Sequence, residues 1–390
     1  MASSPTFPTI EASAHRPALL TCNWSGSALK IETTLHQLSP YIGKLKSSIA
    51  GSLISQFTQV GDVVYDPFSG SGTVALEAWA AGRNVLANDL SPYAALLTRA
   101  KLFPYRSLED ALNDIERLSG EADQEQGDID LRSVPAWVRQ FFHTETLRET
   151  LAWTRVLKRR RRWFMLAALL GILHHQRPGF LSFPSSHTVP YLRVKAFPRA
   201  KFPDLYEYRS LRDRLEAKVK RAFRRVPELD FNLDRRCFLK SAHLLTPEAT
   251  VDAIVTSPPY MRQLDYARDN RLRLWFLGID DHRSLDRKIS PREDAFLKLM
   301  RQCFIKWKTI LRPQKYCVLV IGDASRQVED GNLPEIISRI ATHEVGGYSH
   351  VHDYTETIPN ERRVRRGLTG STSETIVILR NNASRAKSTA

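Results

Sequence analysis

Residues 62–73 read DVVYDPFSGSGT, a short apolar run that leads into a turn with two glycines. The run contains Val63, Val64 and Tyr65, which are residue types typical of a buried strand. Glycine permits a positive φ and lets the backbone approach a ligand closely. In open α/β sheets, ligands bind in loops that follow the carboxyl ends of parallel strands. The stretch therefore predicts a sheet strand followed by a small-molecule loop.

Further apolar runs repeat this pattern along the chain. Helical patterns separate them, which indicates an α/β fold with a doubly wound, mostly parallel sheet. The predicted strands lie at 62–65, 84–87, 252–255, 316–321 and 375–379, and the predicted helices include 74–81, 93–100 and 292–310.

One stretch interrupts this alternation. Residues 104–228 carry helical and loop signals but no clear strand, include the basic run KRRRR at 158–162, and close with a predicted charged helix at 206–225. We interpret this stretch as a mostly helical, substrate-facing insertion. The predicted organisation is a loose arm at 1–18, a catalytic domain formed by 19–103 and 229–382, the insertion at 104–228, and a loose tail at 383–390.

The composition favours a polyanionic partner. The 390 residues carry a net charge of +15, and such a surplus attracts nucleic acid through steering and counterion release. A basic protein without such a partner is the alternative. We find no membrane-spanning apolar run and no secretory signal, and the four cysteines show no CxxC spacing. We therefore expect a cytoplasmic, nucleoid-associated protein without a membrane partner.

A second motif follows the apolar run at 252–255. The sequence TSPPY at 256–260 places two prolines after a predicted strand, which fixes a rigid turn. Such a turn can aim backbone carbonyls and the Ser257 hydroxyl at an amino group and localise its lone pair on nitrogen. The ring of Tyr260 would stack on an extruded base. An ordinary turn or a polyproline-type docking motif is the alternative, which the preceding glycine loop disfavours.

The glycine loop alone supports only a small-molecule site or a tight turn. It has neither the GxGxxG spacing of dinucleotide loops nor the GxxxxGK[ST] spacing of P-loops. Amides at the start of the next helix can hold a carboxylate, and Thr73 is predicted to cap that helix. Asp89 follows the run at 84–87, where an acid can accept hydrogen bonds from ribose hydroxyls.

Together these motifs make the chain resemble the amino-methyltransferases of DNA, above all the SPPY-type cytosine-N4 group. In that family DPFxGSG binds S-adenosylmethionine and [DNS]PP[YFW] is catalytic. The resemblance covers roughly 36–103 and 230–380, and HQLSPYIGK at 36–44 looks like the family's extra cofactor motif. The motif order resembles the alpha arrangement, in which the insertion is the target-recognition region. The family's acid near the adenine ring has no counterpart in LKSAH at 239–243.

The resemblance implies a Rossmann-like class I methyltransferase sheet with S-adenosylmethionine as cofactor and double-stranded DNA as substrate. A cognate restriction endonuclease is an expected partner. The implied catalytic residues are Ser257, Pro258, Pro259 and Tyr260. The implied cofactor-binding residues are Tyr41, Lys44, Asp66, Pro67, Phe68, Ser69, Gly70, Gly72, Thr73, Asp89 and Leu90.

The choice of target base stays open at this level. The serine form of the motif favours cytosine N4, with adenine N6 as the alternative and an amino group of tRNA or rRNA as the second. A DNA-binding module on an inactive methyltransferase scaffold is the non-enzymatic alternative. Cytosine C5 chemistry is disfavoured, because it uses a cysteine that usually follows proline and no cysteine here does so.

Arginines in several segments are candidates for DNA contact, although solvated or packed helix faces would give similar patterns. His174, His175 and His187 have no acidic or cysteine companions at ligand spacing, so no metal site is predicted. A late basic loop at 362–366 is a weaker candidate for contact with the DNA backbone. The predicted DNA-binding residues are Arg159, Arg160, Arg161, Arg177, Arg262, Arg268 and Arg271.

Overall fold

A seven-stranded sheet forms the centre of the computed structural model. The structure describes residues 32–174, 179–182, 198–245, 250–259, 266–322, 332–358 and 373–382. The strands are β1 (Val63–Asp66), β2 (Asn84–Asp89), β3 (Arg235–Leu239), β4 (Val251–Thr256), β5 (Leu311–Gly322), β6 (Tyr348–Thr357) and β7 (Ser373–Asn381).

The sheet is mostly parallel. Its strand order is β3-β2-β1-β4-β5-β7-β6. The pairs from β3 to β5 are parallel, whereas β7 runs antiparallel to both β5 and β6. The chain order reverses between β1 and β4, and ligands bind at such a switch point in doubly wound sheets. The predicted Rossmann-like α/β fold, with a doubly wound and mostly parallel sheet, is confirmed.

Helices cover both faces of this sheet. Short 3-10 turns lie at Thr34–Gln37, Leu131–Ser133 and Pro203–Tyr206, and a π-helical turn at Ile340–Glu344. The helices are α1 (Ser47–Phe57), α2 (Thr73–Ala80), α3 (Pro92–Leu102), α4 (Leu108–Gln126), α5 (Ala136–Arg139), α6 (Thr144–Arg159), α7 (Trp163–Gly171), α8 (Leu211–Ala222), α9 (Tyr266–Asp269), α10 (Arg271–Phe276), α11 (His282–Ile289), α12 (Glu293–Ile310) and α13 (Leu333–Arg339).

Local sequence explains the central elements. All six residues of β4 are buried, as expected for an inner strand of a sheet covered on both faces. Helix α3 begins with Pro92 after Ser91, whose hydroxyl accepts a hydrogen bond from Ala94 N–H. One apolar core packs α1, α2 and α3 against the sheet, and a second core packs α12 and α13 against the other face. Rigid packing on both faces fixes where the strand ends lie.

The five predicted strands are all present, but two edge strands were missed. β3 begins with Arg235 and Arg236 and has no buried residue, and β6 alternates polar side chains along an exposed edge. Edge strands carry charged and polar residues that protect them from pairing with other chains, so their apolar signal is weak.

The charged helix predicted at 206–225 is shorter than expected. Helix α8 begins at Leu211, because Ser210 accepts a hydrogen bond from Asp213 N–H at 3.3 Å and so caps it. A separate 3-10 turn, Pro203–Tyr206, precedes it.

The predicted insertion at 104–228 contains helices α4 to α8, and its described part holds no named strand. Helix α7 is buried along almost its whole length. At its end, a Cβ on Gly171 would lie 2.4 Å from the Leu38 carbonyl oxygen, so the insertion packs directly on the segment before the glycine loop. Its role as a separate target-recognition region stays a prediction. Among the described helices, none is long and apolar enough to cross a membrane.

Candidate active site

The site lies where three parallel strands end. Strand β1 ends at Asp66, β2 at Asp89 and β4 at Thr256. Because β1 pairs with both β2 and β4, these ends lie side by side at the point where the strand order reverses. A cavity of about 480 Å³ opens there, within the range of about 300–1,000 Å³ common for small-molecule sites.

Most of the predicted site residues line this one cavity. Gly72 and Pro258 do not line it, and Tyr260 lies outside the described residues. The predicted residues that do line it are Tyr41, Lys44, Asp66, Pro67, Phe68, Ser69, Gly70, Thr73, Asp89, Leu90, Ser257 and Pro259.

The two glycines of the loop have different structural roles. Gly70 has φ +50°, a Cβ there would touch the Tyr41 ring at 3.4 Å, and its N–H donates to Asp89 Oδ2 at 2.8 Å. Gly72 has φ +74°, and its Cβ would lie 2.8 Å from the Cα of Thr98 on α3. Gly70 therefore shapes the cavity, whereas Gly72 permits the close packing of the loop on α3.

The prediction that Thr73 caps α2 is wrong. The capping position is Gly72, in the left-handed region and without a side-chain hydrogen bond, and the helix begins at Thr73. The Thr73 hydroxyl instead lies 3.0 Å from that of Ser71. A glycine that must approach Thr98 leaves no room for the usual capping side chain at its position.

Asp89 is a carboxylate held by backbone donors at the cavity wall. Its two oxygens accept hydrogen bonds from Gly70 N–H and Ser91 N–H, each at 2.8 Å. Burial raises its pKa to about 6, and the backbone donors oppose that rise. At neutral pH the side chain is mostly ionised, so it can accept hydrogen bonds from hydroxyl groups of a ligand.

Thr256 connects the two sequence motifs. Its hydroxyl donates to Asp66 Oδ1 at 2.7 Å and accepts from Phe68 N–H at 3.2 Å. Asp66 is buried, and burial raises its pKa to about 7, a rise that the Thr256 hydrogen bond opposes. Thr256 is not among the site residues predicted from the sequence, although its polar side chain at the end of an apolar run was a usable signal.

Asn88, on β2, joins the end of β3 to the same edge and was also missed. Its amide nitrogen donates to the carbonyls of Pro67 and Lys240, and its amide oxygen accepts from Lys240 N–H. Asn88 is fully buried. It therefore fixes the segment after β3 against the glycine loop.

The Ser-Pro-Pro loop is anchored to β5. Ser257 Oγ donates to the Val320 carbonyl at 3.0 Å. Pro258 is buried, while Ser257 and Pro259 line the cavity. Because the Ser257 hydroxyl donates its proton to the Val320 carbonyl, its oxygen would accept a hydrogen bond from a substrate.

The segment at 36–44 reaches the cavity through Tyr41 and Lys44. The Tyr41 ring lies 6.1 Å from the rings of Tyr93 and Tyr266, measured between centroids. Burial raises the pKa of Tyr41 well above its usual range, so the phenol stays neutral. Lys44 Nζ donates to Glu32 at 3.1 Å, which holds the lysine beside the cavity.

The segment after β3 supplies polar groups where the resemblance led us to expect an acid. Ser241, Ala242 and His243 line the cavity, and Ser241 Oγ lies 2.9 Å from His243 Nδ1. The missing acid was evident from the sequence, but β3 was not predicted. Without that strand, the position of this segment at the cavity could not be inferred.

The cavity fits the predicted cofactor. S-adenosylmethionine carries a carboxylate, a ribose diol and a flat adenine ring. Asp89 would hold the diol, the loop with Gly70 would lie against the amino-acid part, and Leu90 and Ala242 offer apolar surface for the ring.

The predicted DNA-binding arginines divide into separate groups. Arg159 and Arg160 form ion pairs of 2.8–3.6 Å with Glu121 and Glu125 of α4, and Arg161 is exposed with φ 53°. Contact of these three with DNA stays a prediction.

Two other predicted arginines, Arg268 and Arg271, line a second groove next to the cavity. Arg177, Arg262 and the late loop at 362–366 lie outside the described residues.

The histidines show no metal site in the part of the chain that can be described. His174 is fully buried, and His175 and His187 lie outside the described residues. The described residues contain no cluster of three or more His, Cys, Asp or Glu that could hold a metal.

Comparison with known proteins finds methyltransferases. Residues 46–99 match the N6/N4 methyltransferase family model, described as DNA methylase. The chain is 31% identical over 96 residues to the type II methyltransferase M.MjaII of Methanocaldococcus jannaschii, covering 24% of this chain and 18% of that protein. It is 24% identical over 290 residues to the type II methyltransferase M.BsoBI of Geobacillus stearothermophilus, covering 64% and 53%.

The matches cover different fractions of the compared proteins. The chain spans about half or less of the length of these two curated relatives. Among solved structures, TrmN from Thermus thermophilus matches with a TM-score of 0.35 and 13% identity, covering 89% of this chain and 52% of that one.

Proposed function

We propose that the chain is a DNA amino-methyltransferase and that it methylates the exocyclic N4 of cytosine in DNA, which the match of residues 46–99 to the N6/N4 methyltransferase family model supports. S-adenosylmethionine, the family's cofactor, supplies an electrophilic methyl group bound to a positively charged sulfur. The observation that carries the proposal is the Thr256 bridge. It ties Asp66 of the glycine loop to the start of the Ser-Pro-Pro loop, so that one cavity holds both motifs.

The Ser-Pro-Pro loop supplies what amino-group methylation requires. The lone pair of an aromatic amino group is delocalised into the ring, which makes the nitrogen a poor nucleophile. Acceptors placed at the amino hydrogens localise the lone pair on nitrogen. Ser257 Oγ is such an acceptor, because its own proton is directed to Val320. The rigid prolines keep this acceptor in place, and preorganised dipoles of this kind cost no reorganisation during the reaction.

DNA is favoured over RNA as the substrate. The family model is described as DNA methylase, and both curated relatives carry the name type II methyltransferase. Cytosine N4 is favoured over adenine N6 by the serine at 257, the first position of the catalytic motif. Adenine N6 is the second candidate, and an amino group in tRNA or rRNA is the third.

Nucleoside analysis tests the proposal. The purified chain is incubated with methyl-labelled S-adenosylmethionine and duplex DNA, and the digested nucleosides are identified by mass spectrometry. We expect N4-methylcytosine. N6-methyladenine in its place would transfer the assignment to the adenine candidate, and label in tRNA but not in DNA would contradict the substrate assignment. Ser257→Ala should lose the product, whereas Ser133→Ala, at an exposed serine away from the cavity, should keep it.

A further inference from the structure

A second concave surface adjoins the active-site cavity. This groove, of about 820 Å³, shares Arg287, Pro291 and Ala295 with the cavity. Five arginines line it, and Asp286 is the only acidic residue among its described lining residues. The lining arginines are Arg268, Arg271, Arg283, Arg287 and Arg292, and His282 joins them.

Helix α11 forms a defined wall of this groove. Asp281 caps the helix by accepting a hydrogen bond from Ser284 N–H at 2.9 Å. The carboxylate of Asp286 accepts one from Ala267 N–H at 2.9 Å, which ties α11 to α9. Arg271 also lines the groove, and its guanidinium lies 4.6 Å from the centre of the Trp137 ring on α5. All described lining residues lie at 268–295, and Arg271 connects the groove to the predicted insertion.

Three of the arginines that line the groove are unpaired within the part of the chain that the structure describes. Arg283, Arg287 and Arg292 form no ion pair and donate no side-chain hydrogen bond to any residue that the structure describes. Cationic side chains in a concave surface focus positive potential and raise the local concentration of anions. The same field is felt by His282, whose pKa is lowered by burial and further by Arg271 and Arg283.

We propose that Arg283, Arg287 and Arg292 bind the phosphates of the target strand on either side of the nucleotide whose base enters the cavity. The proposal rests on the proposed function, since it assumes a DNA substrate. We call these three residues the α11 arginines, although only Arg283 and Arg287 lie on α11 and Arg292 lies just before α12. The shared lining at Arg287 joins their groove to the cavity, which a base extruded from its stack must enter.

The dimensions of α11 suit a nucleic-acid strand better than a single small anion. Arg283 and Arg287 are four residues apart, so they share one face of the helix about 6 Å apart along its axis. A DNA strand presents a phosphate about every 3.4 Å of helix axis. The eight residues of α11 span about 12 Å, which corresponds to about three or four phosphates. A free phosphate would occupy only part of this row.

Salt-dependent DNA binding tests the proposal without requiring methylation. Fluorescence anisotropy measures the affinity of the full chain for a labelled duplex between about 50 and 200 mM salt. Removal of one phosphate-binding arginine should lower the slope of log K against log salt by about 1. We expect Arg283→Gln/Arg292→Gln to lower the slope by about 2, and the addition of Arg287→Gln to lower it by about 3. At about 0.1 M salt, the triple variant should bind on the order of 100-fold more weakly.

Matched controls separate site contact from net charge. Arg132→Gln/Arg339→Gln removes two positive charges from positions that line neither the cavity nor the groove. We expect this control to lower the slope by less than half as much as Arg283→Gln/Arg292→Gln. Equal slopes for the two double variants would overturn the proposal. Calorimetry should show unchanged cofactor affinity for Arg283→Gln/Arg292→Gln, which establishes that the variant is folded.

The outcomes distinguish this proposal from the proposed function. N4-methylcytosine together with an unchanged DNA slope in the α11 variants would leave the function standing and overturn the role of the α11 arginines. Loss of affinity for tRNA rather than duplex DNA in the same variants would overturn DNA as the occupant of the groove.

Discussion

The two walls of the active-site cavity are built differently. The cofactor wall, formed by the glycine loop and the end of β2, is held by internal hydrogen bonds, such as those from Gly70 and Ser91 to Asp89. The substrate wall, formed by the Ser-Pro-Pro loop and α11, continues into the groove of the α11 arginines, of which Arg287 also lines the cavity and none pairs with a described residue. A wall whose polar groups already form hydrogen bonds suits a small molecule of fixed shape, whereas a wall with unpaired positive charges suits a polyanion.

Substitutions in each wall test this difference. A change in the cofactor wall should alter affinity for S-adenosylmethionine or the stability of the loop. A change in the substrate wall should alter turnover or DNA binding and leave cofactor affinity unchanged.

The largest effect should come from Ser257→Ala/Pro258→Ala. Loss of the acceptor and of the rigid turn should lower kcat by about 10²–10³-fold, similar to removal of one preorganised hydrogen-bond group in other enzymes. Single-turnover kinetics measures the rate, and calorimetry should show unchanged cofactor affinity. A rate equal to that of the wild type would contradict the assignment of Ser257 and Pro258 to catalysis. A loss of cofactor binding would contradict the assignment of separate roles to the two walls.

Gly72→Ala should mainly destabilise the fold. The residue has φ +74°, and the new Cβ would lie 2.8 Å from the Cα of Thr98. Strain and overpacking together should lower the free energy of unfolding by about 2–4 kcal/mol. Gly61→Ala is the control, because Gly61 also has a positive φ but no atom within 4 Å of the added Cβ. Urea denaturation should show a clearly smaller loss for Gly61→Ala, and equal losses would contradict the packing role.

Asp89→Asn should weaken cofactor binding. Hydrogen bonds to a charged group contribute about 1.5–3 kcal/mol, so affinity should fall by about 10–100-fold, with little change in DNA affinity. Isothermal titration calorimetry with the cofactor and anisotropy with DNA measure the two quantities. A change confined to DNA affinity would contradict the assignment of Asp89 to the cofactor wall.

The pH dependence of cofactor binding gives a sharper test of the same residue. The pKa of Asp89 is raised to about 6 by burial, and the ionised carboxylate is the form that accepts hydrogen bonds. Cofactor affinity should therefore be highest above about pH 7 and should fall as the pH drops through about 6. Asp89→Asn should lose this step. The same step in the variant would assign the titration to another group.

Arg159→Gln/Arg160→Gln should have the smallest effect. Both arginines already pair with Glu121 or Glu125, and exposed pairs contribute about 0–1 kcal/mol each to stability. We expect a smaller change in the salt dependence of DNA binding than for Arg283→Gln/Arg292→Gln. A larger change would support the sequence prediction that this run contacts phosphates. It would also mean that the run at 158–162 contributes more to DNA binding than the α11 arginines do.

The strand-end motifs could be predicted from the sequence because their signals are local. Apolar runs indicated the five inner strands, and glycines or prolines directly after two of them indicated loops at the edge where ligands bind. Most of the residues predicted there, from Tyr41 to Pro259, line the cavity.

The missed features depend on tertiary structure. The Thr256 bridge requires β1 and β4 to be neighbours, which no local pattern encodes. The contrast between Arg159 and Arg283 depends on whether an acid lies opposite, and α4 provides one only for the first. The edge strand β3 leads to Ser241 at the cavity, but β3 has no buried residues and so gave no apolar pattern from which the strand could be predicted.

Methylome sequencing of a host that expresses the chain tests whether it methylates an exocyclic amino group in DNA. We expect methylation at cytosine N4 within one short sequence motif, and the loss of this signal in a host that expresses Ser257→Ala/Pro258→Ala. A genome without new amino-group methylation, in cells where the folded protein binds S-adenosylmethionine, would contradict it.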